Sequence, residues 1–100
     1  MLSAKRKAAL IVTEAARVGE ISPLEIYRYN RTEQVAYFRH IVAYLLRKSG
    51  FSWQQCAFHL GRKNHTTIMN SYKVVEKNWP EYEEVIGQIM DAIKERLVAV

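Results

Sequence analysis

Between Gly61 and Lys73 the chain reads Gly-Arg-Lys-Asn-His-Thr-Thr-Ile-Met-Asn-Ser-Tyr-Lys, so short polar side chains follow a glycine break and two cations. Asn64 has the chemistry of a helix cap, because its side-chain oxygen accepts from an otherwise unpaired amide in the first turn. His65, Thr66 and Thr67 fall in that turn, where the partial positive charge of the helix end also attracts phosphate. Thr66 or Thr67 suits a thymine methyl group or a phosphate, His65 a base edge or the backbone, and Asn70, one turn on, a bidentate pair with adenine. Arg62, Lys63 and Lys73 suit phosphates, which fix register without reading sequence. The plainer alternative is a capped surface helix with solvated charges. Ser52 to Leu60 reads as a short helix just upstream, however, and the pair has helix-turn-helix proportions.

Composition is compatible with a polyanionic partner. The 100 residues carry a formal charge of +5 and 49% hydrophobic residues, enough for one domain, 1–100, with a modest core. Residues 1–50 hold nine Lys or Arg against four acids, residues 51–80 four against one, and residues 81–100 two against five. The positive field therefore belongs to the first eighty residues. The lone cysteine, Cys56, makes no internal disulfide, and Lys5, Arg6 and Lys7 precede an apolar run that Glu14 and Arg17 interrupt, too short and charged for a signal peptide or membrane span. A cytoplasmic location is expected, with no membrane partner.

The elements that must position these residues are helical throughout. Ala8, Ile11, Val12, Ala15 and Val18 follow helical spacing until Gly19 ends the pattern, giving an N-terminal helix within residues 1–20. Ser22-Pro23-Leu24-Glu25 joins a cap, a first-position proline and a capping-box glutamate, which predicts a short second helix. A basic, aromatic loop, Arg28-Tyr29-Asn30-Arg31, separates it from a long third helix capped by Thr32 and closed by Gly50, with Val35, Phe38, Ile41, Val42 and Leu45 as its buried stripe. Ser52-Trp53-Gln54-Gln55 is a second capping box, opening a helix that stops at Gly61. The fifth helix begins at Asn64 and buries Ile68, Tyr72, Val75 and Trp79. Pro80 fits the first position of a sixth, residues 80–98, with Tyr82, Val85 or Ile86, Ile89, Ile93 and Leu97 as its apolar stripe.

With His65-Thr66-Thr67 reached from a capped helix through Gly61-Arg62-Lys63-Asn64, the chain resembles the C-terminal DNA-binding domain of the bacterial replication initiator DnaA, whose signature reads Gly-Gly-Arg-Asp-His-Thr-Thr-Val. The likeness runs over roughly Ile21 to Lys77 and includes Ala43-Tyr44-Leu45-Leu46 of the long helix. It implies an all-α domain of about six helices, of the DnaA C-terminal or Trp-repressor-like type. Its core would span 21–78, with the helix-turn-helix at about 52–78. The resemblance also implies sequence-specific binding of double-stranded DNA, with His65, Thr66 and Thr67 in the major groove, in replication initiation or its regulation. Arg28 and Arg31 lie close to the position of the family's minor-groove arginine, in a register where Asn30 and Thr32 are also near, and Arg31 is the residue taken to correspond to it. Arg62, Lys63 and Asn64 stand where that signature has glycine, arginine and aspartate, so a base contact by the aspartate does not transfer directly. No Gly-x-x-x-x-Gly-Lys-[Ser/Thr] occurs in the chain, and a stand-alone protein without the initiator's ATPase is expected.

Other chemistries are weakly represented. Cys56-x-x-His59 places two ligand types on one helical face, but a structural zinc site needs four converging ligands, so no metal or cofactor is expected. The acids Glu81, Glu83, Glu84, Asp91 and Glu95 read as a solvated face with the first ones favouring the helix dipole, and no nucleophile–base pair is visible, so no enzyme is expected. Tyr29 is an attractive DNA contact, whereas Tyr37 and Tyr44 read as flank residues. Two further functions stay open: a transcriptional regulator, and a protein-interaction module whose C-terminal helix docks a partner or a second copy.

Overall fold

Short polar side chains cap four of the helices by hydrogen bonds. In the computed structural model, which describes residues 2–28 and 32–98, α1 spans Ala4–Gly19, α2 Pro23–Tyr27, α3 Glu33–Lys48, α4 Trp53–His59, α5 His65–Lys77 and α6 Trp79–Val98. Ser3 accepts from the Arg6 amide at 3.2 Å, Ser22 from Leu24 at 3.3 Å and Asn64 from Thr66 at 2.8 Å. Ser52 forms the full capping box, accepting from the Gln55 amide at 3.1 Å while Gln55 Oε1 accepts from the Ser52 amide at 2.8 Å. Thr32 starts α3 without a side-chain capping bond; its carbonyl accepts from the Ala36 amide. No strand occurs among the described residues, and none of the helices is long and apolar enough to cross a membrane.

Three helices end in the same hydrogen-bond pattern. At Gly50 (φ +103°) and Gly61 (φ +67°) the left-handed residue donates to the carbonyl three positions back and its successor to the carbonyl five back. At the end of α1 the left-handed residue is Glu20, φ 55°, and not Gly19. Gly19 serves a different purpose: a Cβ there would lie 2.7–2.9 Å from the Phe38 ring, so its hydrogen lets α1 and α3 approach.

Helix α3 is central, touching α1, α2, α4 and α5, and it contributes Ile41, Val42, Ala43 and Leu46 at 0% exposure. Its flank tyrosines are structural. Tyr37 stacks on Tyr82 of α6 (4.5 Å, 11°) and donates to the Glu81 carbonyl at 2.6 Å, while Tyr44 stacks on Tyr72 of α5 at 4.9 Å. Glu14, which looks like an interruption of the α1 stripe, is 2% exposed and lies between Arg17 (3.5 Å) and Arg96 of α6 (3.7 Å). Two expected positions shift. Trp79 belongs to α6, which starts one residue ahead of Pro80, and Leu97 is 49% exposed on a groove wall because the apolar stripe of α6 outruns the core it covers.

Gly19→Ala is expected to lower stability by about 1–3 kcal/mol through overpacking against Phe38, and Glu20→Gly to raise it by about 1 kcal/mol by relieving a left-handed non-glycine residue. Urea unfolding of the two variants checks both signs.

Candidate nucleic-acid interface

Gly61 governs the turn between α4 and α5. Its left-handed backbone lets the Arg62 amide donate to the Ala57 carbonyl at 2.8 Å, and four residues later α5 begins on the Asn64 cap. The inner side of α5 is set by Ile68, Ser71 and Val75, all buried, with Tyr72 half-buried beside them. On the outer side Thr66, Asn70 and Lys73 recur at helical spacing and are exposed, as are Lys63, Asn64, His65 and Thr67 at the N-terminal end. Lys77, absent from the sequence-derived set, completes the outer stripe; its four-residue spacing from Lys73 is the signal that identifies it.

The inner side is tied down by more than apolar contact. His40 Nδ1 of α3 lies 2.8 Å from Ser71 Oγ, and the Trp53 ring of α4 meets Tyr72 edge-on at 5.4 Å. Arg47 lies over the Trp53 ring at 4.3 Å and donates to the Phe51 carbonyl at 3.1 Å, locking the α3–α4 corner. Burial pushes the His40 imidazole below its usual range, and the Arg39 charge adds to the shift.

Arg62 occupies a place that a phosphate role does not explain. Its guanidinium donates to the carbonyls of Tyr27 (3.1 Å), Arg28 (3.4 Å) and Ile26 (3.5 Å), and Arg39 of α3 reaches the same end, donating to Arg28 (3.0 Å) and Ile26 (3.4 Å). These carbonyls close a five-residue helix, where few backbone N–H donors reach them. Two cations at a helix C-terminus also complement its dipole. The pair therefore fastens the end of α2 to both the central helix and the helix-turn-helix turn. Arg31, with Tyr29 and Asn30, lies outside the described residues.

Cys56 is buried with Sγ 3.9 Å from the Phe51 carbonyl, and burial pushes its thiol up; the His59 ring meets Phe51 and Phe58 edge-on. Among the described residues, no three His, Cys, Asp or Glu side chains are grouped so as to hold a metal.

A capped short helix, a left-handed turn and a second helix with a buried inner side and a polar outer one define a helix-turn-helix domain. Residues 8–75 match the family described as bacterial dnaA protein helix-turn-helix, and the chain belongs to that family. It is 30% identical over 88 residues, 84% of its own length, to the chromosomal replication initiator protein DnaA of Lachnoclostridium phytofermentans, and spans 19% of that relative.

A histidine whose folded value lies below its unfolded one stabilises fully above the unfolded value, about 6.5, and less as pH falls, because the unfolded chain takes the proton first. The melting temperature is thus expected to drop as pH is lowered from about 7 through 6, and His40→Gln to flatten that part of the profile.

Proposed function

We propose that this domain binds double-stranded DNA sequence-specifically by laying the N-terminal half of α5 in the major groove. The observation that carries the reading is the division of α5 into a buried side, Ile68 and Val75, and an exposed stripe of Thr66, Asn70, Lys73 and Lys77 next to His65 and Thr67. A stripe of that composition supplies base-edge chemistry and phosphate cations together, and its fixed inner side keeps the geometry from varying between complexes. The relative's name points to a role in replication initiation or its regulation. The same site serves a transcriptional regulator equally well, and the duplex it selects discriminates the two. Exposed Met90 and Leu97 on α6 favour an additional protein contact through the C-terminal helix.

Roles divide within the site. His65, Thr66, Thr67 and Asn70 read bases, and Lys63, Lys73 and Lys77 neutralise phosphates. Arg62 positions the end of α2, and Asn64 caps α5 in the place where the family signature has aspartate.

Selection from a randomised duplex pool at two salt concentrations is expected to enrich one motif, with affinity falling as salt rises by about 0.9 log units per log unit of salt for each phosphate neutralised. Thr66→Ala is expected to relax preference at one position by about 1–3 kcal/mol, while Lys63→Ala weakens all duplexes alike and lowers the salt slope by about 1. Arg62→Ala keeps the slope and lowers the melting temperature instead. Enrichment of no motif would sink the reading.

A further inference from the structure

On the side of the molecule formed by α1, α3 and α6, the three helices diverge around an open groove of about 590 Å³, bordered by Tyr44 and Lys48 where they meet Tyr72 of α5. Leu10, Leu45, Ile86 and Ile93 form its floor, and Met90 and Leu97, 44% and 49% exposed, stand on its α6 wall. The rim is basic: Lys7 of α1, Lys48 of α3 and Lys94 of α6 border it, and no Asp or Glu lines it among the described residues. We propose that this groove receives an amphipathic helix of a partner protein, apolar along one face and acidic on both flanks.

Length argues for a helix. The α6 residues that line the groove run from Trp79 to Leu97, roughly 27 Å at 1.5 Å per residue, so the feature is a trench along a helix and not a closed cavity. A trench with an apolar floor fits side chains presented at i, i+3 or i+4, and i+7. Charge sets the flanks. The three lysines come from three different helices, so a single carboxylate on an amphiphile meets one of them, whereas a helix with acids along both edges meets all three.

Two of the lysines are already held near the rim. Lys7 Nζ donates to the Ser49 carbonyl at 3.1 Å, and Lys48 Nζ lies over the Tyr44 and Tyr72 rings at 5.6 and 5.8 Å, which reduces the ordering cost of pairing them. A second copy of the chain is a poorer occupant. The acidic outer face of α6 presents Glu84, Gln88, Asp91 and Glu95, a row without an apolar anchor, since Tyr82, Ile86 and Ile89 face their own core.

The test uses the full chain without DNA, so its result is independent of the DNA-binding reading. An 18-residue peptide with leucines at i, i+3, i+4 and i+7 spacing and glutamates on both flanks is titrated by calorimetry. It is compared with a scrambled peptide of the same composition, a lysine-flanked version, dodecanoate and anionic vesicles. The acidic helix is expected to bind at least tenfold more tightly than either control peptide. Lys94→Glu and Met90→Glu, both exposed substitutions, are each expected to weaken it tenfold or more while the circular dichroism spectrum is kept. Equal binding of the scrambled peptide, binding unmoved by both substitutions, or binding of dodecanoate or vesicles without the peptide would overturn the proposal. So would sedimentation of the chain as a dimer that Met90→Glu dissociates.

Discussion

The packing of α5 on α3 is the interaction on which the rest of the molecule depends. With its outer face exposed, α5 is held by its inner face, where Ile68 and Val75 are 2% and 0% exposed. Burial of side chains of this size stabilises by about 1.5–3 kcal/mol each. Direction comes from elsewhere. The stacked Tyr44–Tyr72 pair and the His40–Ser71 hydrogen bond fix how α5 is rotated about its own axis, and that rotation decides whether Thr66 and Asn70 or their neighbours point outward.

A second constraint joins the end of α2 to α3 and to the turn before α5. The carbonyls at the end of α2 collect two guanidiniums, one from the middle of the bundle and one from the turn before α5. Position along the chain matters here: α2 leads into the basic loop, and Arg62 belongs to the helix-turn-helix. The end of α2 is thereby set relative to the start of α5, through charge-assisted hydrogen bonds that are stronger and more directional than apolar contact. In the family signature a glycine stands at the place of Arg62, so this fastening is a property of the present chain and not of the signature.

Local chemistry was legible in the sequence and tertiary chemistry was not. The caps at Ser22, Ser52 and Asn64 and the stops at Gly50 and Gly61 follow from hydrogen bonds within a few residues, and the stripes of α3 and α5 follow from helical period, so the six helices could be read directly. Glu14 reads as a break in the apolar run of α1 because α6, which covers it and supplies its second partner Arg96, comes from the other end of the chain. Gly19 looked like a stop for the same kind of reason, since the Phe38 ring that requires it comes from another helix. In the candidate site the exposed residues are readable from spacing, whereas Arg62 reads as one more cation because its acceptors lie some 35 residues away along the chain.

In the proposed complex the outer stripe of α5 meets DNA while its inner side stays on α3. Backbone amide and side-chain chemical shifts of the full chain, recorded free and bound to its selected duplex, test this directly. The expected result is large perturbation concentrated at Lys63 to Lys73, with Thr66 and Asn70 among the strongest, and little change at Ile86 or Ile89 of α6. Perturbation centred on α6 or on the α1 surface, with Thr66 and Asn70 unmoved, would contradict it.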